Sequence, residues 1–401
     1  MSAAFPKASV RDAPADARRA LVRVDFNVPL ADGEVADDTR IRAALPTIEL
    51  LRERGAALVL VSHLGRPKGR DPELSMAPVA ARLAELLGAD VELASGVVGD
   101  DVRAAAERLG RGAMLVLENS RFEPGETRND PELAAELATL AELYVNDAFG
   151  AAHRAHATTE GVAHLRPAYA GLLLEREVVE LTGVRDDPDP PLVVILGGAK
   201  VSGKIGVIER FLETADEILI GGAMCFSFFR AEGMATGDSL VEDEGVELAG
   251  RVLERARAAK ARIRLPDDVV VADRFEAAAE HRVVDASEIP QGWRGLDIGP
   301  ATAEAYAAAV ARAGTVFWNG PMGAFELEPF AAGTRALAEA VAEAPGRTVV
   351  GGGDSAAAMS AFGLADDVDW LSTGGGASLE LMEGRPLPGV AALMDASEVR
   401  S

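Results

Sequence analysis

Short apolar runs alternate with amphipathic segments along nearly all of this chain, and that rhythm admits few folds. In the first part, ALVRVDFNVPL (20–30), AALVLVSHL (56–64), VELAS (91–95), AMLVLEN (113–119) and LYVNDAF (143–149) read as strands. Between them, DDTRIRAALPTIELLRERG (37–55), APVAARLAELLG (77–88), DDVRAAAERLG (100–110) and DPELAAELATLA (130–141) read as helices. Strands separated by helices form β-α-β units and a parallel sheet. A longer helix is expected over RPAYAGLLLEREVVELTGV (166–184), followed by an acidic, proline-rich boundary, RDDPDPP (185–191). The alternation then restarts with LVVILG, EILIGG, VVVAD, TVFWNG, RTVVGGG and VDWLST as strands. The expected fold class is α/β: two doubly wound parallel-sheet (Rossmann-like) domains joined by a hinge helix.

In such sheets ligands sit at the carboxyl ends of the strands. Those ends differ between the halves. The first half offers Asp25 and Asn27, His63 and Arg66, Arg121, and Asp147 with Arg154 nearby. The second half offers glycines: Gly197-Gly198, Gly221-Gly222, Gly351 to Gly353 and Gly374 to Gly376. One half suits an anionic small molecule; the other suits close backbone approach to phosphates or a nucleotide.

Charge sharpens this contrast. Asp and Glu total 64 against 40 Lys and Arg, a formal net charge of −24. Such a surface repels nucleic acid, anionic membrane and most anionic metabolites, so an anion site has to be locally basic. Any one arginine here reads more simply as a solvated charge. Arg66, Arg121 and Arg154 at successive strand ends, with His63, read together as a basin for a small hydroxylated phospho-acid, arginine's planar fork matching carboxylate and phosphate oxygens. Asp25 and Asn27 share a strand face and can accept hydrogen bonds from a substrate hydroxyl. His63 reads as an anion-binding group before a general base. His153 and His156 lack a cysteine partner and flank Arg154, so a metal pair is the weaker reading.

Cys225 is the lone cysteine, so no intrachain disulfide is expected, which suits a reducing cytoplasm. The stretch MSAAFPKASVRDAPADARRA lacks the apolar centre of a secretory signal, and the apolar run 218–229 is too short to span a bilayer.

LVVILGGAKVSGKIGVIERF (192–211) satisfies G-x-x-x-x-G-K through Gly198, Gly203 and Lys204, but Ile205 stands where an ATPase loop places its magnesium-binding hydroxyl. A second lysine, Lys200, lies inside the loop. VVGGGDS and STGGGASLE each set three glycines between a strand and a helix, where backbone N–H groups and the helix dipole meet an anion. A tight turn explains one such glycine but not three. Asp354 follows the first triplet, placed to hold magnesium on a nucleotide phosphate or to cap the helix. WNGPMGAFE adds Asn319 and Glu326 as candidate ribose contacts.

Nine strings, RVDFNVP, DDTRI, SHLGRP, VNDAFG, AHRAH, GGAKVSGKI, WNGPMGAFE, GGGDS and STGGGASLE, stand in the order found in phosphoglycerate kinases, which the chain resembles over nearly its full length. The resemblance implies a cytoplasmic glycolytic enzyme, a two-lobed monomer passing a phosphoryl group between 1,3-bisphosphoglycerate and magnesium ADP, with no nucleic acid or membrane partner. By the same resemblance, Asp25, Asn27, Arg40, His63, Arg66, Arg121 and Arg154 bind 3-phosphoglycerate. Lys204, Glu326, Gly351, Gly352, Gly353, Asp354 and Ser355 hold the nucleotide, with Asp354 on Mg2+. Gly198, Gly222, Gly299, Asn319 and Pro321 surround base and ribose. Arg40, Lys200, Gly353 and Gly376 meet the phosphoryl group in transfer.

Implied domain limits are 1–166 with 386–401 returning to it, a connecting helix and hinge over 167–190, and 191–385. Ser120 replaces a usual aliphatic residue and Ser355 a common Thr, leaving the charged groups in place. Two rival classes remain. A nucleotide-hydrolysing ATPase would use Lys204 as its loop lysine, and a non-catalytic metabolite binder would use the arginine basin alone. ATP consumption that depends on 3-phosphoglycerate separates all three.

Overall fold

The computed structural model describes residues 5–14 and 16–399; the expected outer domain limits at residues 1 and 401 lie outside these. The strands are β1 (Arg19–Arg23), β2 (Leu30–Ala31), β3 (Glu34–Val35), β4 (Ala57–Val61), β5 (Glu92–Leu93), β6 (Met114–Val116), β7 (Leu143–Asn146) and β8 (Ala168–Ala170), then β9 (Leu192–Leu196), β10 (Glu217–Ile220), β11 (Arg262–Arg264), β12 (Asp268–Ala272), β13 (His281–Asp285), β14 (Arg294–Ile298), β15 (Thr315–Asn319), β16 (Arg347–Gly351) and β17 (Trp370–Leu371).

Two compact units result, one spanning Glu180–Arg385 and one combining the chain up to Val179 with the segment from Pro386. The first part of the chain builds a six-stranded sheet in the order β5-β6-β4-β1-β7-β8, every neighbouring pair parallel. The continuous Ala-Leu-Val-Leu-Val of β4 is buried at every position, as a strand covered by helices on both faces requires. Leu58 and Leu60 pack with Ile41, Ile48 and Val79 from the helices on one face. The returning C-terminal segment is fastened to this unit by Lys7, whose ammonium donates to the carbonyls of Ala391 and Leu393, both at 3.0 Å, and to Asp395 at 2.7 Å.

The second unit has its own parallel sheet, β11-β10-β9-β15-β16-β17. Beside it lies an antiparallel sheet, β13-β12-β14, that the sequence reading did not separate. The run VVVAD was expected as another strand of the alternation, yet β12 enters this smaller sheet. A short apolar run does not reveal its partners, and here Val270 stays partly exposed between buried Val269 and Val271.

The expected helix over 166–184 is corrected as well. Ala168–Ala170 is an edge strand paired with β7, and the helix spans Leu172–Asp186. Long-range pairing overrides local periodicity there: the Ala170 N–H donates to the Ala8 carbonyl at 2.8 Å. The helix start is set by Asp147, whose Oδ1 accepts from the N–H groups of Leu173, at 2.9 Å, and Leu174, at 3.3 Å. Gly171 keeps this approach open, since a Cβ there would lie 2.1 Å from that oxygen.

Candidate active site

In the first unit, the turns after β4, β6 and β7 carry Arg66, Arg121 and Arg154 to the wall of one cavity of about 480 Å³. Lys68, which the sequence reading passed over two residues from Arg66, joins them. Burial pulls the Arg121 guanidinium below its usual range, and the positive charges of Arg154, Arg23 and Arg66 add to this. Four cations therefore crowd one hollow of a strongly acidic protein, a concentration of charge that an anionic ligand relieves.

The remaining predicted groups surround this cavity without lining it. Asn27 Oδ1 accepts from the N–H of Gly65 at 2.8 Å, and Arg121 donates to the Gly65 carbonyl, so both pin the turn that carries Arg66. Arg40 pairs with Asp25 at 3.1 Å, leaving the second oxygen of Asp25 buried without a hydrogen-bond partner. His63 is buried, with Nδ1 3.0 Å from the guanidinium of Arg23. Burial first, then the charges of Arg23, Arg121 and Arg40, hold its pKa well below the usual range. His63 is thus held neutral, and can meet an anion by a hydrogen bond rather than by charge. Asp147 does follow β7 directly, but it is fully buried against the start of the helix Leu172–Asp186, and burial raises its pKa to about 7.

His153 accepts from Arg154 at 3.0 Å, while burial, Arg23 and Arg121 lower the His156 pKa to about 4. Among the described residues no cluster of three His, Cys, Asp or Glu side chains is placed to hold a metal.

In the second unit a cavity of about 660 Å³ is lined by Gly198, Gly222, Leu296, Pro321, Glu326 and Asp354, among others. Its wall is mainly apolar at the Phe226 and Leu296 side, and carboxylates stand at Glu326 and Asp354. A flat apolar group with a charged tail fits that polarity.

The predicted glycine-rich turns divide into wall and support. Gly352 adopts φ +94° in the turn after β16, and a Cβ on it would lie 2.9 Å from Asn319 Nδ2, a buried amide nitrogen without a hydrogen-bond partner. Gly353 begins the next helix, Gly353–Ala361, and Ser355 within it accepts from the Gly320 N–H at 2.5 Å. Gly351 ends β16, and Gly376 begins the helix Gly376–Met382. Gly299 is set apart, packed against Asp268 where β14 meets a helix.

The two lysines of the loop after β9 separate. Lys204 is partly buried and donates to the carbonyls of Gly197 at 2.6 Å and Asn319 at 2.8 Å. Burial lowers its pKa to about 7, with the Asp354 charge opposing. Lys200 is exposed, and its charge helps to hold Glu242 low.

Sequence reasoning missed Arg23, Glu126 and Thr158, all buried beneath the basin. A signal existed for Arg23: it is the one charged residue inside the apolar run Leu21–Val24. Glu126 and Thr158 sit in loops, where nothing local announces burial.

The protein-family model described as phosphoglycerate kinase matches residues 10–385. Over 397 residues the chain is 57% identical to phosphoglycerate kinase of Chloroflexus aurantiacus, covering 97% of this chain and 99% of that protein. It is 52% identical to the cytosolic phosphoglycerate kinase of Nicotiana tabacum over 393 residues, 97% and 98% of the two chains. The solved structure of phosphoglycerate kinase from Coxiella burnetii superposes with a TM-score of 0.88 at 40% identity, covering 96% of this chain and 98% of that one.

Proposed function

This chain belongs to the phosphoglycerate kinase family, and from that premise we propose that its basic basin holds 3-phosphoglycerate and its glycine-lined cavity holds magnesium nucleotide. It is a phosphotransferase of glycolysis, exchanging a phosphoryl group between 1,3-bisphosphoglycerate and ADP. The observation that carries the residue assignment is the division of the site chemistry. Arg66, Arg121, Arg154 and Lys68 surround one cavity, and an apolar pocket edged by Glu326 and Asp354 forms the other.

The arginines engage carboxylate and phosphate oxygens of the acid, and Asp25 and Asn27 orient its hydroxyl. The donor is an acyl phosphate and the acceptor a nucleotide phosphate oxygen, so no general base has to deprotonate the nucleophile. Catalysis then consists of in-line positioning and stabilisation of charge on the three equatorial oxygens. Arg40, Lys200 and the backbone N–H groups at Gly353 and Gly376 supply that stabilisation. Asp354 is the residue that would hold Mg2+. The carboxylates of the cavity wall, Asp354 and Glu326 among them, form no three-ligand cluster among the described residues, which fits a cation carried mainly by phosphates. Such a cation neutralises phosphate charge. Acid and nucleotide belong to different units, so transfer requires the units to approach; the helix Leu172–Asp186, through which the chain passes from one unit to the other, is the proposed hinge.

Location is proposed to be cytoplasmic. No helix among the described residues is long and apolar enough to cross a membrane. The test is a coupled assay of ATP consumption. Turnover that requires 3-phosphoglycerate and falls at least about 100-fold in Arg66→Ala supports the assignment; ATP consumption without the acid would overturn it.

A further inference from the structure

Under the arginine basin runs a buried polar chain that the proposed reaction does not use. Arg23, at the end of β1, is 1% exposed. Its Nε donates to the Thr158 hydroxyl at 2.9 Å, its Nη1 to the Val24 carbonyl, and its Nη2 to His63 Nδ1 at 3.0 Å. The Thr158 hydroxyl in turn donates to Glu126 Oε1 at 2.6 Å, and the Thr158 N–H donates to Oε2 at 3.0 Å. Ser120 donates to the same carboxylate at 3.4 Å. Ser120, Glu126 and Thr158 are fully buried, and the Tyr144 hydroxyl fixes the Thr158 carbonyl at 2.7 Å.

The directions of these bonds are forced. A guanidinium has donors only, so the His63 nitrogen facing it has to present a lone pair. Neutral imidazole carries one proton, which is left on Nε2. The Thr158 hydroxyl has a single proton, and an acceptor-only carboxylate takes it, so its oxygen lone pairs face Arg23. Arg23 is therefore the donor on both sides, through Thr158 to Glu126 on one and to His63 on the other. A strut that merely filled space would not need a buried carboxylate, a hydroxyl and a guanidinium in series.

We propose that Arg23 is a positioning residue: anchored on Glu126 through Thr158, it locks His63 in the Nε2–H tautomer, so that His63 presents an uncharged hydrogen-bond donor to a substrate oxygen. The charged arginines then supply attraction, while His63 supplies direction without adding to their repulsion. The contact with substrate rests on the assignment of the basin to 3-phosphoglycerate; the tautomer does not.

The test uses the full-length protein labelled with 15N-histidine, the His63 signals being assigned by their loss in His63→Gln. Expected are a non-protonated Nδ1 and a protonated Nε2 that persist as pH falls below about 6.5, where a free imidazole protonates, since burial first and then the charges of Arg23, Arg121 and Arg40 and the His156 ring all oppose protonation. A protonated Nδ1 or averaged shifts in the wild-type protein would overturn the proposal. Thr158→Val keeps the shape and removes the link; it should give averaged shifts and raise the 3-phosphoglycerate KM about tenfold with kcat held within about twofold. Thr158→Ser should restore both. A Thr158→Val protein with the wild-type tautomer and KM refutes the anchoring. If the tautomer is locked but saturating 3-phosphoglycerate leaves the Nε2 signal unmoved, the substrate contact fails while the hold of Arg23 on the ring stands; failure of the basin assignment itself is read separately, from ATP consumption without the acid.

Discussion

The ammonium of Lys204 donates to the carbonyl of Gly197 at 2.6 Å. Because it also reaches Asn319 O at 2.8 Å, the lysine ties together the ends of the neighbouring parallel strands β9 and β15. Both carbonyls are neutral, so they only partly replace water, and burial lowers the lysine pKa to about 7.

A pH dependence of nucleotide binding follows. The folded-state pKa is depressed, so free enzyme loses this positive charge as pH rises through about 7, whereas an unfolded chain keeps it to about 10.4. Nucleotide KM should therefore rise with pH across about 6 to 8. Lys204→Met should raise KM about tenfold or more at pH 6 and flatten the profile, measured at constant ionic strength. A variant as steep as the wild type would mean that another group titrates.

Lys200 is exposed, and its proposed contact forms only during transfer. An interaction made in the transition state alone changes kcat and spares KM. Lys200→Ala should lower kcat about 10²–10³-fold with nucleotide KM little changed, as steady-state kinetics would record. Wild-type turnover in this variant would return Lys200 to the status of a solvated surface charge.

Asp147 should make stability depend on pH. Burial raises its folded-state pKa to about 7, above the unfolded value of about 3.9. The stability this group contributes is present below about pH 4 and is lost as pH rises through about 7. Asp147→Asn keeps an oxygen for the Leu173 and Leu174 N–H groups. Urea unfolding from pH 4 to 8 should show wild type losing roughly 2–4 kcal/mol relative to the variant over that range. Parallel profiles would assign the titration elsewhere.

With 64 acidic and 40 basic residues, the folded chain repels itself at low ionic strength. The Debye length falls to about 3 Å in molar salt, so the melting temperature should climb between low and molar potassium chloride. A flat or falling series in calorimetric scans would show that the acidic surface is not the dominant electrostatic load on stability.

Much of this architecture is written locally. Buried parallel strands need continuous apolar runs, and Ala57–Val61 and Leu192–Leu196 have them; amphipathic helices between such runs leave parallel pairing as the economical solution. The basin is legible for a related reason. Arg66, Arg121 and Arg154 each follow a strand, and strand ends of one parallel sheet lie on one side whatever the strand order.

What tertiary structure alone decided is pairing and burial. Ala168–Ala170 reads as the start of a helix until β7 and Ala8 supply hydrogen-bond partners, and β12 reads as part of the parallel sheet until β13 and β14 pair with it. Protonation states are further still from the sequence. The same histidine, lysine and aspartate side chains would titrate near their ordinary values in water. His63 is neutral because it is buried against Arg23, Lys204 is weakly basic because carbonyls replace its water, and Asp147 is weakly acidic because a helix covers it. Local periodicity placed His63 and Asp147 at strand ends and Lys204 at a helix start, but a pKa depends on the dielectric and the charges that the whole fold packs around a group, and no local stretch of chain contains them.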